Sequence, residues 1–121
     1  MPFLGDFVEI LGDNSMSIPQ TTGNAQVALP DFNTGGRATG TGPHRKAQLM
    51  LSARNLTGSA AVLINNTHVG RITATPGAVF STQIISVPGE LLKDGNNDIV
   101  LREVTDPFEL KNVVCFFHQS T

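Results

Sequence analysis

The chain has 121 residues, of which 40% are apolar and only 15% charged, against about 25% charged in an average soluble domain. A net charge of −2 with dense apolar runs excludes an intrinsically disordered chain, and the length gives one core but not two. Arg37, Arg45, Lys46, Arg54 and Arg71 lie in a stretch without acids, but they are too widely spread for the basic face a nucleic-acid binder needs.

Residues 3–11 alternate as an opening strand, with Phe7 and Glu9 on one face and Val8 and Ile10 on the other. Residues 12–15 form a turn, and residues 25–29 a short strand closed by Pro30. Residues 31–43 (DFNTGGRATGTGP) hold Gly35, Gly36, Gly40 and Gly42 with little apolar content, so they read as a long surface loop. Residues 45–54 form a central strand with Ala47, Leu49, Leu51 and Ala53 on one face.

Two short apolar runs, 61–64 and 69–72, flank Asn65-Asn66-Thr67. Asparagine tolerates positive φ, which suits a tight hairpin between twisted strands. Gly70 then marks a bulge or a close backbone approach. Residues 79–87 form a further strand stopped by Pro88, which cannot donate to a ladder. Leu91 and Leu92 plug the end of the core from a helical turn over 90–93. Residues 94–97 reverse the chain, and Ile99 and Leu101 share one face of the next strand. Residues 112–118 close the fold with two adjacent phenylalanines. Eight short strands and one helical turn predict an antiparallel two-sheet β-sandwich.

The succession from residue 61 to residue 101 resembles the later strands of the galactose-binding-like jelly roll, the β-sandwich of lectin modules and glycosidase accessory domains. The resemblance implies one jelly-roll domain over residues 1–121 and a non-enzymatic, lectin-like function. Carbohydrate would be bound through loops at one end of the sandwich. Asp31, Asn33, Arg37, His44 and Arg45, in and just after the long loop, are the expected ligand-binding residues. A structural protein that assembles identical copies is the alternative, and self-association into a homo-oligomer is expected for both.

No catalytic constellation is visible. His44, His68 and His118 are not spaced as metal ligands, and no serine lies in a nucleophile elbow. Asp94-Gly95-Asn96-Asn97-Asp98 offers oxygens at alternate positions, but it lacks the later glycine and glutamate of a helix-loop-helix calcium loop. It reads as a turn, with structural calcium as the alternative and no cofactor expected. Cys115, the only cysteine, reads as a buried inert thiol. Sugar sites favour Trp and Tyr faces, and both residues are absent. Phe7, Phe80, Phe116 and Phe117 lie in strand patterns and are expected in the core, leaving Phe32 and Phe108 as ring platforms. The first residues lack a signal-peptide pattern and no run has transmembrane length, so the expected location is cytoplasmic, or outside by a route without a cleaved signal.

Overall fold

The computed structural model describes residues 3–34, 46–93 and 95–120, with side chains over 7–34, 47–93 and 95–117. Its strands are β1 (Phe3–Leu11), β2 (Met16–Ile18), β3 (Gln26–Ala28), β4 (Phe32–Asn33), β5 (Lys46–Arg54), β6 (Ala60–Ile64), β7 (Thr67–Ile72), β8 (Ser81–Pro88), β9 (Asn96–Asn97), β10 (Ile99–Arg102) and β11 (Phe108–Ser120). A 3-10 turn spans Gly89–Leu91. Every strand pair is antiparallel, as expected. One sheet runs β1-β11-β5-β8, with β2 also on β11; the second runs β3-β10-β6-β7; β4 and β9 pair separately. No helix among the described residues is long and apolar enough to cross a membrane.

Alternation puts one side of each large sheet into a shared core. Val8 and Ile10 of β1, Leu49 and Leu51 of β5, Ile85 and Val87 of β8, and Leu110, Val113 and Cys115 of β11 meet Val62, Ile64, Ile72, Ile99 and Leu101 of the facing sheet. Each such side chain contributes about 1.5–3 kcal/mol on leaving water. All five residues of β6 are buried, although only alternate ones face the core. Ala61, on the outer side, has Arg71 on one flank and Arg102 on the other. The alkyl stems of such residues shield apolar surface while their charged heads stay wet.

The hairpin after β6 forms as expected. Asn65 and Asn66 have φ of 49° and 68°, the left-handed pair that a twisted two-residue turn demands. The β6–β7 register slips beside Gly70, and a Cβ on Gly70 would come within 2.7 Å of Ile85 Cγ2. Bulge and close approach therefore coincide. Leu92 is 4% exposed and plugs the core after the 3-10 turn.

The strand count is corrected. Three short strands add to it, β4 in the expected loop, β9 in the expected turn and β2 in a stretch given no element, because a two- or three-residue strand leaves too little periodicity to see. The long loop is therefore not featureless from residue 31: Phe32–Asn33 pairs with Asn96–Asn97. The last strand begins at Phe108, not 112. Asn112 sits in a bulge at φ 52°, with its N–H donating to the Gly12 carbonyl at 2.9 Å, and the slip hides the earlier alternation. Val79 and Phe80 fall in the turn before β8 rather than in the strand.

Candidate functional site

The outer side of the β1-β11-β5-β8 sheet carries the exposed aromatic rings. Phe7 pairs in register with Phe116, Phe116 with Gln48, and Gln48 with Ser86. All four side chains are exposed, so one rung crosses four strands as ring, ring, amide and hydroxyl. The two rings lie 6.1 Å apart and are inclined at 43°, within the range of favourable aromatic pairs. Phe7 is 63% and Phe116 39% exposed. The next rung holds Glu9, Val114, Met50 and Ile84, the last 61% exposed.

These rings correct the sequence reading. Phe7 and Phe116 were expected in the core, and they stand in solvent. Phe32 and Phe108 were expected as platforms, and they are 2% and 3% exposed. Of the four strand phenylalanines only Phe117 is buried as expected, at 4%, while Phe80 is partly exposed. A signal for the outward rings was present: Phe7 shares a face with Glu9, and of two adjacent phenylalanines in a strand one must point out.

Polar groups close the far end of the same face. Arg54 donates to both carboxylate oxygens of Glu109, at 3.1 and 3.0 Å, and the Ser15 hydroxyl donates to Glu109 at 3.1 Å. The Arg54 hydrogen bonds and the Ser15 hydroxyl hold the Glu109 carboxyl below its ordinary value. The Phe80 ring takes two cations, Arg54 at 4.5 Å and Lys111 at 4.4 Å. Around the corner, Ser17, Ile18, Pro19, Asn55, Pro107, Phe108 and Glu109 line an open cleft of about 460 Å³. Nearby, Asp106 accepts hydrogen bonds from the backbone of Thr57 and Gly58 and from the Thr105 hydroxyl. These bonds, the Thr57 backbone first, hold its pKa down. It is a loop staple.

The expected end-loop site is only partly in view. Asp31 and Asn33 are exposed beside β9, and Asp31 accepts a hydrogen bond from the Asn96 amide at 3.1 Å. The structure brings these two to one edge; Arg37, His44 and Arg45 lie outside the described residues. So does Asp94 of the calcium reading. In the described part of that turn, the Asn97 amide donates to the carbonyls of Lys93 and Gly95, both at 3.1 Å. No group of three or more His, Cys, Asp or Glu among the described residues is placed to hold a metal. Cys115 is fully buried, and burial pushes its thiol up to about 12.

Comparison with solved structures bears out the fold, an all-β, two-layered jelly roll consistent with the galactose-binding-like resemblance. A β-porphyranase of glycoside hydrolase family 86 from the human gut bacterium Bacteroides plebeius superposes with a TM-score of 0.67 at 15% identity, over 98% of this chain and 21% of that one. A family 35 carbohydrate binding module from Clostridium thermocellum gives 0.55 at 12% identity, over 92% of this chain and 97% of the module. A family 29 carbohydrate binding module variant gives 0.55 at 16% identity, over 92% and 85%. The chain thus spans about a fifth of the porphyranase and nearly all of the family 35 module. No protein-family model matches the chain, and a search of curated proteins finds no relative.

Proposed function

We propose that this chain is a non-catalytic carbohydrate-binding module whose ligand lies on the outer face of the β1-β11-β5-β8 sheet. The observation that carries the reading is the Phe7–Phe116 pair, two exposed rings beside an exposed amide and hydroxyl. A sugar presents an apolar ring face edged by hydroxyls. Aromatic planes next to hydrogen-bonding groups match both parts. Similarity in fold to two carbohydrate binding modules supports the same reading. The competing position is the loop end, with Asp31 and Asn33 and, beyond the described residues, Arg37, His44 and Arg45. The face is favoured because Phe32, the ring next to Asp31, is buried.

A second reading, assembly of identical copies, draws on Ile84, an exposed aliphatic side chain on the same face. One experiment separates them. The purified chain is run through native gels containing agarose, a sulfated galactan, β-mannan or β-glucan, and its mass is measured by light scattering. Retardation by at least one polymer, weakened about tenfold by Phe7→Ala or Phe116→Ala, is the expected result; that loss corresponds to about 1.4 kcal/mol. A folded chain that no polymer retards, and whose stable oligomer dissociates with Ile84→Glu, would establish the assembly reading instead.

A further inference from the structure

We infer that this face takes the interior of a linear glycan laid across the strands, rather than a chain end; the inference rests on the glycan reading above. Phe7, Phe116, Gln48 and Ser86 are successive register partners, running from edge strand β1 to edge strand β8. With neighbouring strands about 4.8 Å apart, the rung is about 14 Å long, more than one pyranose ring. Both of its ends are sheet edges, and no described strand continues the sheet past either. A terminal sugar is recognised by enclosing it. An open rung instead lets the polymer run past on both sides.

The chemistry changes along the rung in the same sense. The rings at the β1 side offer stacking, while Gln48 and Ser86 offer donors and acceptors that no hydrogen bond within the described residues uses. A ligand that reaches only the rings forgoes the polar half, so affinity must grow with chain length.

The test uses the whole chain and oligosaccharides, from monomer to hexamer, of the polymer that retards it most, titrated by calorimetry. The expected result is no detectable monosaccharide binding and a gain of about tenfold or more from disaccharide to tetrasaccharide. A plateau should follow, with chemical blocking of both sugar ends leaving hexasaccharide affinity unchanged. The paired change Gln48→Ala and Ser86→Ala should cost the tetrasaccharide about tenfold and leave the disaccharide unaltered. A disaccharide that binds as tightly as the hexasaccharide would overturn the inference, as would loss of binding on end-blocking. Each of those outcomes leaves the glycan reading standing. A chain that no polymer retards would bring down both.

Discussion

Asn65 and Asn97 lock the closing turns of the sandwich together: the Asn65 amide donates to Asn97 Oδ1 at 2.8 Å and to the Leu91 carbonyl at 2.7 Å. Asn97 Oδ1 also accepts from the Lys93 N–H at 2.7 Å, and the Asp98 N–H donates to Asn65 Oδ1 at 3.0 Å. Thr34, just after β4, joins with its hydroxyl donating to the Lys93 carbonyl at 3.0 Å. Asn97 is 1% exposed, so these bonds have no water to replace them. Asn97→Ala should destabilise the fold by about 3 kcal/mol, the cost of leaving several buried groups unpaired. Asn97→Asp should be worse at neutral pH, because a carboxylate would face two carbonyl oxygens, and partly recover when acid protonates it. Urea unfolding at two pH values checks both.

Gly70 lies against the opposite sheet, and an added Cβ would meet Ile85 Cγ2 at 2.7 Å. Gly70→Ala should therefore cost about 1–3 kcal/mol by overpacking. Leucine at position 85 lacks the Cγ2 branch, so Ile85→Leu should restore part of the loss in the double variant. A double-mutant cycle by thermal melting measures the coupling. Additive losses would show that the two sheets do not touch there.

The phenylalanines divide into two classes. Phe32→Ala and Phe108→Ala, each removing a ring at most 3% exposed, should cost about 3–5 kcal/mol and lower the melting temperature sharply. Phe7→Ala and Phe116→Ala should cost less than about 1.5 kcal/mol, since these rings are exposed to solvent. Melting curves of all four variants make the comparison, and equal losses would contradict the placement of the rung.

Glu109 is held below its ordinary value of 4.5 by Arg54 and Ser15. A carboxylate with a lowered native pKa contributes stability that is fully present above its unfolded pKa. That stability disappears as pH falls through the lowered one. Asp106 acts in the same direction. The chain should thus lose stability on acidification from the ordinary carboxylate range downward. Glu109→Gln should flatten part of that slope by slightly lowering stability near neutrality and leaving it unchanged in acid, a small effect because the pair is partly solvated, and urea unfolding across pH reads it.

Cys115 should resist thiol reagents in the native state, because its pKa of about 12 leaves almost no thiolate at neutral pH and no surface of the residue is exposed. Labelling with a chromogenic disulfide should follow unfolding and accelerate with urea. Rapid labelling of the folded chain would contradict its burial.

Local chemistry was enough for much of the fold. The Asn65-Asn66 turn, the stop at Pro88, the Leu92 plug and the grouping of residues by face in β1, β5 and β10 could each be read from neighbouring residues. Turn conformation and strand alternation are properties of a few consecutive residues. The short pairings of β2, β4 and β9 could not be read, because a strand of two or three residues exists only through its distant partner. Nor could the fate of the phenylalanines. Periodicity says which residues share a face, but tertiary packing decides which face meets the other sheet. Phe7 and Glu9 were rightly placed together, and the side they share proved to be the solvent side. The candidate site is a property of register: Phe7, Phe116, Gln48 and Ser86 are scattered along the sequence. Only the antiparallel pairing of β1, β11, β5 and β8 brings them onto one rung.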